Sequence, residues 1–170
     1  MSATNQADSP LPQEPPQGHR EPVRVYLSLG SNLGDRRAYL KSALDSLPDL
    51  VAHSQLYETD PVGGPEQGAY LNLVAELHTA LSPEQLLGIC HRVESASDRV
   101  RDVRWGARTL DIDILWMDGV ELDSPRLTIP HPRWKERRFV LAPLRELAPD
   151  LVTEQELNLS EGTVRLVDPL

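Results

Sequence analysis

Six segments with strand or helix periodicity follow one another in the order strand, helix, strand, strand, helix, strand, and no other feature of the chain restricts its fold as much. Val23 to Leu29 alternates apolar and polar residues and runs into Gly30-Ser31-Asn32-Leu33-Gly34-Asp35, whose glycine, asparagine and aspartate content suits a tight turn. The spacing of Leu40, Ala43, Leu44 and Leu47 predicts a helix from Arg36 to Leu47, stopped by Pro48. Val51 to Glu58 reads as a second strand, Thr59 to Gly68 as a loop and Tyr70 to Leu77 as a third strand. Ser82-Pro83-Glu84-Gln85 opens a second helix: serine caps it, proline fills the first turn and glutamine sits at the capping-box position. Its apolar face carries Leu86, Leu87, Ile89, Cys90 and Val93 towards Ser97. Leu110 to Met117 is the fourth strand, and Asp118-Gly119 turns the chain back into Val120 to Leu122.

This order predicts an α+β fold, a ferredoxin-like βαββαβ sandwich with one sheet and two helices on one face. The other face is left for loops to build a site, and the proline-rich remainder supplies extra C-terminal strands and short helices. The first 22 residues hold five of the 15 prolines and almost no large apolar side chains, so they read as a disordered tail. Residues 23–170 read as a single domain, least defined after about residue 152. No apolar run approaches the ~18 residues of a membrane span, and the N-terminus has no signal-like apolar segment. A lone cysteine, Cys90, on the apolar helix face excludes a disulfide framework. These features predict a cytoplasmic protein that does not engage membranes.

The net charge of −9 argues against nucleic-acid binding. The charge is uneven, however: residues 92–138 hold 10 of the 17 basic residues but only 9 of the 26 acidic ones. An acidic protein with one arginine-rich region can hold a small polyanion there. Within that region lies Arg104-Trp105-Gly106-Ala107-Arg108-Thr109-Leu110-Asp111-Ile112-Asp113-Ile114. Strand alternation puts Asp111 and Asp113 on one face, about 7 Å apart, with Ile112 and Ile114 on the other. Aspartate is disfavoured in strands, and paired carboxylates followed by phosphate suit magnesium. Arg99, Arg101, Arg104 and Arg108 lie just upstream, with planar forks that match phosphate oxygens. Pro130-His131-Pro132 holds a histidine on an extended segment, where it can donate to a phosphate or bond a backbone carbonyl. Arg137, Arg138 and the only phenylalanine, Phe139, follow it. Tyr70 and Asn72 share one face of their strand, so a ring and an amide project together. An amide can read a heterocycle edge, while Tyr70 and Phe139 are equally consistent with ordinary packing.

These motifs, in this order along residues 23–152, resemble the 6-hydroxymethyl-7,8-dihydropterin pyrophosphokinase family. The match adds Tyr57-Glu58-Thr59 and Ile129-Pro130-His131-Pro132 to the segments above. It departs from the family pattern at Asp60, Val62, His91 and Ala107, and in a loop from Arg99 to Trp105 that is one residue short. The resemblance implies transfer of pyrophosphate from ATP to the hydroxymethyl group of the dihydropterin, giving AMP and the pterin diphosphate, in folate biosynthesis. It implies two magnesium ions on Asp111 and Asp113, one against the α- and β-phosphates and the other against the β- and γ-phosphates. Asn72, Thr59, Val62, Tyr70, Phe139 and Trp105 are implied on the pterin side. On the ATP side it implies Glu94, Arg99, Arg108, Ile114, Thr128, His131 and Arg137, with Arg99 and Arg108 also counted as catalytic. It further implies a monomer whose partners include its small-molecule substrates.

Two other functions fit paired carboxylates on such a sheet. One is a magnesium-dependent nucleotidyl transferase or cyclase, which would release pyrophosphate instead of AMP. The other is a regulatory module that binds nucleotide without turning it over.

Overall fold

A computed structural model of the chain describes residues 20–61, 68–97 and 109–170. Most of the N-terminal tail thus lies outside the described residues. The elements are β1 (Val23–Ser31), α1 (Arg36–Ser46), β2 (Leu50–His53), β3 (Tyr57–Thr59), β4 (Tyr70–Thr79), α2 (Pro83–Ala96) and β5 (Asp111–Met117), followed by β6 (Leu122–Asp123), β7 (Thr128–Ile129), α3 (Arg138–Leu147), α4 (Glu154–Leu159) and β8 (Val164–Leu166). The fold is mixed α/β around a six-stranded sheet of order β5-β1-β4-β3-β8, with β2 also paired to β4. Every strand pairing in it is antiparallel.

Local chemistry sets the helix starts. The Asp35 side chain accepts the Ala38 N–H at the head of α1, and Gly34 before it takes φ 67. Ser82 and Gln85 form the predicted capping box on α2.

The core lies on both faces of the sheet. On one, Leu27, Leu73 and Ile112 pack against Leu40 and Leu44 of α1 and Leu86 and Cys90 of α2. On the other, Tyr26, Val74 and Leu115 pack against Trp134 and against Val140, Leu141 and Leu144 of α3. The two expected helices, α1 and α2, thus share one face, and α3, one of the additional C-terminal helices, covers part of the second face and leaves the rest open. Pro143 lies inside α3, where it removes one intrahelical bond. The helix persists because its apolar stripe is buried.

The single second strand expected over Val51 to Glu58 is split into β2 and β3. Ser54 causes the break: its N–H donates to the Val74 carbonyl at 2.8 Å, and its hydroxyl accepts the Val74 N–H at 3.0 Å. The turn at Asp118-Gly119 is present, with Val120 N–H donating to the Met117 carbonyl. The chain after it does not pair back on β5; β6 pairs with β7 in a separate two-stranded sheet.

Glu58 ties the edge together, bonding Arg36 at 3.1 Å and Arg165 of β8 at 3.0 Å. These two guanidinium groups hold its pKa below the ordinary glutamate value. The folded state then binds fewer protons, so this stabilisation is present above the ordinary glutamate range and is lost as pH falls through the folded value. Glu58→Gln is expected to flatten the fall of Tm with pH below about pH 5. An acid limb identical to wild type in thermal melts would contradict this.

Candidate active site

Strand pairing places the functional side chains in one row. Residues directly opposite in antiparallel strands share a face. Gly30 of β1 lies opposite Asn72 of β4 on one side and Asp111 of β5 on the other, and Ser28 lies opposite Asp113. Asn72, Asp111 and Asp113 therefore stand on the part of the sheet face that α3 leaves open. Asn72 is 3% exposed. Its Nδ2 donates to Thr59 Oγ1 at 2.7 Å, so its Oδ1 is turned towards β1. A Cβ on Gly30 would come within 2.9 Å of that Oδ1. Glycine is required there to give the amide its place across the strand.

Two cavities meet over this row. The first, of about 310 Å³, is lined by Asn72, Tyr70, Thr59, Phe139 and Arg137, among others. The second, of about 440 Å³, is lined by Glu94, His91, Ile112, Ile114 and Thr128, among others. Asp111, Asp113 and His131 line both.

His131 is fixed by its neighbours. Its backbone N–H donates to the Leu115 carbonyl at 2.8 Å, anchoring the proline-flanked segment beside β5. The Arg133 N–H donates to its Nδ1 at 3.2 Å. Burial, together with the positive charge of Arg137 and Arg133, lowers its pKa from the ordinary histidine value. A neutral ring that accepts at Nδ1 carries its proton at Nε2. The Arg137 guanidinium lies over the Phe139 ring, 5.7 Å from its centroid.

Behind the aspartates, Glu94 is 2% exposed, and its carboxylate accepts the Ile112 N–H at 2.9 Å. This bond fixes the β5 backbone between Asp111 and Asp113. Glu94→Ala leaves that buried N–H without an acceptor, which costs ~2 kcal/mol and should lower Tm by roughly 4–8 °C. Glu94→Gln keeps an acceptor oxygen and should stay close to wild type. Equal melting of the alanine variant and wild type would contradict the assignment.

The donor chemistry suits a hard cation. Two carboxylates on one strand face supply oxygen ligands, and phosphates and water complete such a shell. Among the described residues no group of three or more histidine, cysteine, aspartate or glutamate side chains could enclose a metal by itself.

Residues 26–149 match the model of the 7,8-dihydro-6-hydroxymethylpterin-pyrophosphokinase family. The chain belongs to that family. It is 50% identical over 143 residues to the 2-amino-4-hydroxy-6-hydroxymethyldihydropteridine pyrophosphokinase of Pseudomonas aeruginosa, covering 81% of this chain and 88% of that one. It is 45% identical over 152 residues to the enzyme of the same name from Methylorubrum extorquens, covering 86% and 95%. Among solved structures it is similar to the wild-type HPPK-DHPS of Plasmodium falciparum, with a TM-score of 0.59 at 16% identity. That match takes in 84% of this chain but 40% of the longer one, and it concerns the fold alone.

Of the residues implied by resemblance to the pyrophosphokinases, Thr59, Tyr70, Asn72, Phe139 and Arg137 line the first cavity. Glu94, Ile114 and Thr128 line the second. Arg137 thus stands on the first cavity and not among the residues of the second. Val62, Arg99, Arg101, Arg104, Trp105 and Arg108 lie outside the described residues. Sequence reasoning placed Gly30 in a turn, whereas it lies inside β1 as the floor beneath Asn72. The signal available was a glycine interrupting a strand pattern, which marks a close approach. Glu161, on the wall of the first cavity, was not anticipated. Among the described residues no helix is long and apolar enough to cross a membrane.

Proposed function

We propose that the first cavity receives the dihydropterin and the second the ATP, with Asp111 and Asp113 at the seam. As a pyrophosphokinase of this family, the chain transfers the pyrophosphoryl group of ATP to 6-hydroxymethyl-7,8-dihydropterin in folate biosynthesis. The observation that carries the site assignment is that the two cavities share Asp111, Asp113 and His131. Two substrates must meet where a bond forms between them.

On the pterin side, the Asn72 amide reads the edge of the heterocycle, its orientation set by Thr59 and Gly30. Tyr70 and Phe139 stack against its faces, and Val62 and Trp105 complete that side. On the ATP side, the Nε2–H of neutral His131 donates to a phosphate oxygen, and Arg137 approaches the phosphates from the pterin cavity. Arg99 and Arg108 neutralise charge as it shifts towards the leaving AMP. Ile114 and Thr128 line the adenine end, while Glu94 acts through the strand it holds. Asp111 and Asp113 would hold two magnesium ions, which when bound offset phosphate charge and favour attack by the substrate hydroxyl.

The strand order supports reading the fold as ferredoxin-like, extended by β8 and the C-terminal helices. We take residues 23–170 as one domain. We read the enzyme as a cytoplasmic monomer whose partners are its substrates, with no role for nucleic acid or membrane.

Titration with manganese in the presence of a non-hydrolysable ATP analogue tests the metal assignment. Two ions per chain are expected for the wild type and fewer for Asp111→Ala. An unchanged count in that variant would overturn it.

A further inference from the structure

The family match ends at residue 149, yet the chain beyond it reaches the first cavity. Glu161 lines that cavity and is bonded twice to the start of α3. Its N–H donates to the Glu136 carbonyl at 2.8 Å, and its carbonyl accepts the Arg138 N–H at 2.9 Å. These two bonds bracket Arg137, which begins α3 without a side-chain cap. The Arg138 guanidinium adds bonds to the carbonyls of Leu157 and Asn158. A few residues on, Val164 of β8 lies opposite Thr59 of β3, and the Thr163 hydroxyl donates to the Asp60 carboxylate at 3.4 Å. Thr59 is the residue that receives the Asn72 amide. Gly162 turns the chain between these two attachments at φ +100, with open space where a Cβ would stand.

Residues 161–164 therefore run from the Arg137 wall of the cavity to its Thr59 wall. We infer that this segment is a strap that sets the spacing of the two walls and so determines affinity for the pterin. It is a positioning element, acting on the pterin through Phe139 at the start of α3 on one side and through Thr59 and Asn72 on the other. This rests on the reading of the first cavity as the pterin site.

Two variants of the full chain test it. Glu161→Pro removes the N–H that bonds Glu136. The residue before it, Ser160, already has φ −71 and ψ 149, a conformation allowed ahead of proline. Gly162→Ala strains the positive-φ turn without a clash. In each folded variant the ratio of pterin KM to ATP KM is expected to rise about tenfold, the scale of one lost hydrogen bond. A merely structural segment would lower Tm and leave that ratio alone, and an unchanged ratio in a folded variant overturns the strap. Asn72→Ala is the control. If it raises pterin KM while the strap variants do not, only the strap falls. If it too leaves pterin KM unchanged, the cavity assignment fails and the strap with it.

Discussion

Replacing Asp111 or Asp113 by alanine is expected to lower turnover by roughly a thousandfold, corresponding to ~4 kcal/mol of lost charge stabilisation. Both carboxylates lie on the open face of β5, at the seam of the two cavities, and neither is part of the apolar core. Tm is therefore expected to stay within about 2 °C of wild type, as for substitutions outside the packed interior. The contrast with Glu94→Ala is informative: that variant should lose stability, because its carboxylate satisfies a buried backbone N–H. Steady-state rates with thermal melts of all three variants separate the roles. Near wild-type turnover in either aspartate variant would remove the metal assignment.

Asn72→Ala is expected to raise the pterin KM by roughly a hundredfold, since two hydrogen bonds to the heterocycle edge are lost from a desolvated pocket. ATP affinity should survive, because Asn72 does not line the second cavity. Gly30→Ala offers the same test without substituting Asn72 itself. Its Cβ would stand within 2.9 Å of Asn72 Oδ1 and force the carboxamide from its seat. A rise in pterin KM is expected there also, with ATP KM unchanged. Equal pterin affinity in both variants and the wild type, measured by direct binding, would contradict the pocket assignment.

The parts of the fold readable from sequence are those set by local chemistry. The Ser82 cap, the stop at Pro48 and the alternation of β1, β4 and β5 all depend on neighbours within a few residues. The facing of Asp111 and Asp113 follows from the same alternation. What escaped depends on distant partners. The break between β2 and β3 comes from Ser54 bonding Val74, twenty residues away. Helix α3 was hidden by Pro143, whose local cost is outweighed by burial of Val140, Leu141 and Leu144. The short β8 has little pattern of its own and exists because β3 offers it an edge. Gly30 illustrates the same limit at the site: its identity is dictated by Asn72, which pairing alone brings opposite.

The central claim is that two substrates meet at the aspartate pair and that an intact pyrophosphoryl group passes between them. The most direct test is incubation of the protein with ATP, magnesium and 6-hydroxymethyl-7,8-dihydropterin, with the nucleotide products resolved by chromatography. AMP formed only when the pterin is present, in equal amount to the pterin diphosphate, is the predicted result. Release of free pyrophosphate in place of pterin diphosphate, or no turnover by folded protein that binds ATP, would contradict it.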